Sequence, residues 1–128
     1  MSFKAKLKIA GKELDVLACS YKFHQETDST GRPSSVTRGG QISLTVESTG
    51  DTDFFEWMCN SFERKDGSVV FYKSDAEGIL KELKFKEGYL IDFGEEFRAA
   101  GSDSFYSMFT ISAREFTMGS STHKNEWV

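Results

Sequence analysis

Proline, cysteine and histidine are all scarce in this chain, with one, two and two copies in 128 residues. Each scarcity removes a class of protein. A single proline beside twelve phenylalanines leaves few rigid linkers and favours sheet. Two cysteines permit one intrachain pairing. Cys19 falls in a predicted strand and Cys59 in a predicted helix, so both are expected as free, buried thiols. His24 and His123 are too few and too far apart for HExxH or a dense zinc cluster, and both are expected as surface imidazoles. No apolar run follows the initiating Met, so no standard export signal is expected, and no segment is long enough to span a bilayer. Membrane insertion is therefore not expected, and a secreted role would need another machine to carry the chain. Positive charge is not in excess either. A net charge of -4 and a pI near 5.2 argue against a nucleic-acid partner.

Catalytic patterns are equally sparse. Arg38-Gly39-Gly40 lacks the frame of a phosphate loop, and Glu95-Glu96 is expected to be a solvated loop pair. A small hydrolase built on Cys59 and His24 can be drawn, but Cys59 has no basic neighbour in its helix to lower its pKa. No catalytic, metal or cofactor residue is assigned.

What the chain does contain is alternation. From Ser2 to Ile9, Phe3, Ala5, Leu7 and Ile9 alternate with Lys4, Lys6 and Lys8, the pattern of a half-buried strand. Glu13 to Gln25 predicts a second strand whose apolar phase flips, from Leu14, Val16 and Ala18 on one face to Cys19, Tyr21 and Phe23 on the other; a bulge near Ala18-Cys19 accounts for the flip. Ile42, Leu44 and Val46 predict a third strand, with Ser43, Thr45 and Glu47 on a wet opposite face. Ser68 to Lys73 is apolar on both parities and predicts a strand covered on two sides. Ile79 to Phe93, with a kink at Gly88, and Phe105 to Phe116 complete the sheet; a turn over 74–78, a loop over 95–103 and a tail with Trp127 as a possible anchor are expected between and after them. Within Glu47 to Glu63 a helix is expected, with Asp51 or Thr52 at its start and its end near Arg64 to Gly67. Phe54, Phe55, Met58 and Phe62 form its predicted core face, with Trp57 at the margin.

Six to eight strands and one helix predict a mainly β fold, a small closed barrel or two-sheet sandwich with one flanking α-helix. Glu26 to Gly40, rich in Ser, Thr and Gly, is a long loop for a compact domain. It is either an idle mobile loop or a reaching element that grips a neighbouring copy. A self-assembling ring and a monomeric barrel binding a small apolar ligand are both compatible with this composition.

The strings SFKAKLKIAGKE, QETDSTGRPSSVTRGGQISLTVESTGDTDFFEWM, KELKFKEGYL, FTISAREFTMG and NEWV resemble the tube proteins of the type VI secretion system, the Hcp (TssD) family, and the likeness runs over the whole chain. The resemblance implies a phage tail-tube-like barrel with a flanking helix, and hexameric rings of identical chains stacked into a hollow tube. It implies a contractile sheath and baseplate around that tube, a VgrG-type spike at its tip and small effector proteins in the lumen. The tube would assemble in the bacterial cytoplasm and then be secreted through the apparatus. No catalytic residues come with the family. Its extended loop maps onto Thr27, Asp28, Gly31, Arg32, Pro33, Ser34, Ser35, Val36, Thr37, Arg38 and Gly39, with Arg32, Pro33, Val36 and Arg38 expected to make the contacts. The family pattern favours Ser43, Thr45 and Glu47 as lumen-facing.

Overall fold

The computed structural model describes residues 4–48, 50–73, 78–99 and 104–125. The expected anchor Trp127, most of the turn over 74–78 and the tip of the loop over 95–103 lie outside the described residues. The elements are β1 (Lys4–Ile9), β2 (Lys12–Tyr21), β3 (Gln41–Glu47), α1 (Asp53–Cys59), β4 (Arg64–Tyr72), β5 (Ile79–Arg98), β6 (Ser104–Met118) and β7 (Ser121–Lys124). Their order across the sheet is β3-β2-β1-β4-β5-β6-β7, and β3 also pairs with β6. That extra pairing closes β1 to β6 into an antiparallel barrel and leaves β7 as a short flap on β6. Closure matters because it pairs strand edges that would otherwise be free to template association.

Local chemistry sets each corner. Ala10 (φ 51°) and Gly11 (φ 77°) both take positive φ, so the two-residue loop between Ile9 and Lys12 twists in the sense a tight hairpin needs. The register of β2 on β3 slips between Val16 and Ala18. Before the slip Leu14 and Val16 face inward; after it Cys19 and Tyr21 do. The phase flip in the sequence is this bulge, which falls before Ala18 rather than after it, so Ala18 faces outward, and β2 ends at Tyr21 rather than Gln25. At the expected kink, Gly88 leaves room for Ile111: a Cβ there would fall 2.7 Å from Ile111 Cγ2.

Leu7, Ile42, Val69, Leu83, Phe85 and Ile111 fill the barrel and are almost wholly buried, as expected where a narrow barrel is plugged by its own side chains. Val70 is buried on the opposite parity of β4, in keeping with a strand covered on both faces.

The helix differs most from its sequence pattern. It spans seven residues, because Glu47 is held in the sheet opposite Tyr106 and Arg64 onward is recruited into β4 opposite β5. Sheet pairing on both sides overrides the local helical periodicity. Asp51 accepts the Asp53 amide at 2.9 Å, whereas the Thr52 hydroxyl turns to Glu56. The predicted core face also rotates. Trp57 is 2% exposed and donates its indole N–H to the Glu63 carbonyl (2.8 Å), and Phe54 stacks on Phe109 with ring centres 4.4 Å apart. Phe55, Met58 and Phe62 face outward instead, Phe62 at 84% exposure beyond the end of the helix. With so short a helix, one i, i+3 pair is all that can meet the barrel, and Phe54 with Trp57 takes that place.

Candidate functional site

Between β2 and β3 the chain leaves the barrel as an arm, residues 22–40. It is no formless loop. His24 and Arg38 exchange both backbone hydrogen bonds (2.8 and 2.6 Å), and Thr27 opposes Pro33 in a second bridge. At the tip the Asp28 carboxylate accepts from the Thr30 amide (2.9 Å), the Thr30 hydroxyl (2.6 Å) and the Arg32 amide (3.1 Å). These donors hold the Asp28 carboxyl below its usual range, the Thr30 hydroxyl most of all. Gly31 completes the turn at φ 88°. Ser35 accepts the Glu26 amide through its hydroxyl, and the Ser34 amide donates to the Glu26 carbonyl.

Apart from the half-buried Ser35 and the buried Gly40 at its base, the arm is exposed, and its aliphatic residue Val36 is 77% exposed. Neither guanidinium of Arg32 or Arg38 forms an ion pair or hydrogen bond among the described residues. The arm thus presents one bare aliphatic and two cations that no described residue of its own chain engages.

A second surface lies on the outer wall. Register places Ser20, Ser43, Thr110 and Asp92 in one row, Ala18, Thr45, Met108 and Gly94 in the next, and Glu47, Tyr106 and Glu96 in a third. Ser43 and Thr110 share a hydroxyl hydrogen bond at 3.1 Å. Ser43, Thr45 and Glu47 are thus brought together on one band whose centre is mostly small and neutral, with Asp92 in the first row and Glu47 and Glu96 in the third. The Arg32–Pro33–Val36–Arg38 set belongs to the arm, a separate surface.

Other features were not legible in the sequence. Phe97 and Phe105 meet edge to face (5.6 Å) and remain exposed near the β5–β6 end, and Phe55 lies edge-on to Phe93 on the helix side. Glu95 is in β5 rather than a loop, and accepts hydrogen bonds from Ser48 and from the buried Ser107. Lys12 clasps Asp51 and Asp53, fixing the segment before the helix; the hydrogen bonds raise the Lys12 pKa and lower that of Asp51. His123 is half-buried in β7 rather than a surface tail residue, because β7 folds back on β6 opposite Phe116. Cys59 is exposed rather than buried, since the short helix turns it outward; Cys19 is inward, and burial pushes its thiol up to about 11. Both are free. Among the described residues no His, Cys, Asp or Glu cluster could hold a metal ion, and no helix is long and apolar enough to cross a membrane.

Comparison with known proteins points the same way as the geometry. The family model described as Hemolysin coregulated protein Hcp (TssD) matches residues 1–128. The structure of Hcp1 from Flavobacterium johnsoniae is 51% identical, with a TM-score of 0.90 over 95% of this chain and 99% of that one. Hcp1 from Salmonella typhimurium shares the fold at 15% identity, with a TM-score of 0.75 over 96% and 92% of the two chains. A chain of the PVC sheath-tube complex, from an extracellular contractile injection system, shares it at 16% identity and a TM-score of 0.59, over 91% and 88%. A comparison with curated proteins returned no match. The chain belongs to the Hcp (TssD) family and is a tube subunit of the type VI secretion system.

Proposed function

We propose that identical copies of this chain close into a hexameric ring, and that rings stack into a hollow tube propelled by a contractile sheath. The carrying observation is the ordered, solvent-exposed arm with its unengaged Arg32 and Arg38, raised on a barrel whose own edges are paired. In this reading the arm, through Arg32, Pro33, Val36 and Arg38, grips the neighbouring ring. The band of Ser43, Thr45 and Glu47 faces the lumen, where short hydroxyl side chains beside carboxylates offer a passing effector little apolar surface. The exposed Phe97–Phe105 pair near the β5–β6 end and the exposed Phe55 on the helix side supply apolar contact between neighbouring copies. Ring-to-ring contacts can be individually weak because many act together along the tube. The tube assembles in the cytoplasm and leaves the cell by way of the apparatus, tipped by a VgrG-type spike seated on the baseplate.

A ligand-binding monomer is less well supported, because the barrel interior is occupied by Leu7, Ile42, Phe85 and Ile111. Native mass spectrometry tests the reading. A dominant species near six times the 14.4 kDa chain is expected, and a spectrum of single chains under all gentle conditions would contradict it.

A further inference from the structure

The base of the arm is gripped by β7 and the residue that follows it. Phe23, just past the end of β2, lies edge-on to Tyr21 (ring centres 6.5 Å), Phe116 (6.0 Å) and His123 (5.0 Å). Across the arm stands Gly39. A Cβ on Gly39 would fall 2.2 Å from Phe23 Cδ1 and 3.0 Å from Cγ, the root of the ring, so a larger residue would have to displace the ring itself. Gly40 follows at φ 114°, a conformation closed to most side chains, and its carbonyl accepts the Ala113 amide at 2.8 Å. The place a Gly40 Cβ would take is filled by Asn125 Nδ2, 2.0 Å from it. Asn125 is itself fixed at three points: Nδ2 donates to the Ala113 carbonyl (3.0 Å), the amide donates to Arg114 (2.7 Å), and Oδ1 meets His123 Nε2 (3.1 Å).

We propose that Phe23, Gly39, Gly40, His123 and Asn125 form a lock that sets the direction in which the arm leaves the barrel. β7 has no part in closing the barrel; its role is to position the arm. The proposal rests on the reading of the arm as the contact between rings. Leverage explains why the base matters: one limb of the arm, about seven residues from Phe23 to the tip, reaches roughly 20 Å, so a swing of about 10° moves the tip by some 3 Å, the width of a lost contact. A fixed arm also surrenders less conformational freedom when it docks.

The test compares Asn125→Ala, Phe23→Ala and Phe23→Tyr in the full chain, by residue-resolved hydrogen exchange and by tube length in electron micrographs. Asn125→Ala and Phe23→Ala are expected to speed exchange at the His24 and Arg38 amides by about tenfold or more, with barrel amides unchanged and tubes shortened. Phe23→Tyr, which keeps the ring against Gly39, is expected to behave as the parent. Unchanged arm exchange in both alanine variants would overturn the lock, whatever the tubes do. Barrel amides that accelerate in step with the arm would overturn it too, by making these residues ordinary core. Faster arm exchange with full-length tubes would uphold the lock and contradict the ring-contact reading of the arm.

Discussion

Asp28 shows how a fully exposed residue can still shape a surface. Its carboxylate replaces water with three donors from Thr30 and Arg32, which turns the chain and presents Arg32 and Pro33 at the tip. Because the folded carboxyl titrates below the usual 3.8, its contribution to tip order is complete above that value and is lost as pH falls through the lower, folded one. Exchange at the Thr30 and Arg32 amides is therefore expected to accelerate as pH falls below about 3.8, beyond its intrinsic pH dependence. Asp28→Ala should show the fast rate throughout; identical protection in the two proteins would contradict the assignment. Little of this was legible beforehand. The sequence names Asp, Ser, Thr and Gly as turn formers, but not which carboxylate will collect which amides. Cys59 and His123 carry the same lesson, since the exposure of each was decided by an element whose length or pairing was misjudged.

Strands proved more legible than the helix, and for a physical reason. Alternation over β1 and β3 has a period of two that nothing but a strand satisfies, and the bulge in β2 announced itself as a change of phase. Phe54 to Phe62 fits a helical period too, yet its fate depended on distant strands that claimed both flanks. The outcome predicts unequal costs along one short stretch. Trp57→Ala removes a buried ring and a donor to Glu63, and should destabilise the fold by about 3–5 kcal/mol in denaturant unfolding. Phe62→Ala, at a residue 84% exposed, should change monomer stability by no more than about 0.5 kcal/mol. Equal losses from the two would contradict the observed helix placement. β7 carries no strand signal of its own: Ser121 to Lys124 is polar and short, and it becomes a strand because the Gly119 turn (φ 64°) delivers it to the free edge of β6.

At the scale of the whole molecule, side chains fill the barrel interior and strand pairing closes β1 to β6. The surfaces proposed for assembly, the arm, the band of Ser43, Thr45 and Glu47 and the exposed aromatics, therefore all lie on its outside. The barrel could be read in the sequence from strand count and alternation. The division of the outer wall into surfaces could not, since it depends on which rows the register aligns. Arg32→Ala combined with Arg38→Ala should leave the fold and the rings intact and shorten the tubes, because both guanidiniums lie on the exposed arm without partners among the described residues of their own chain. Full-length tubes from that double variant would remove the arm from the ring contact. The most direct measurement is negative-stain electron microscopy of the purified chain at working concentration. The account predicts end-on views of rings with an open centre, some stacked into short tubes. Fields of solid, solitary particles, unchanged when spike and sheath proteins are added, would contradict it.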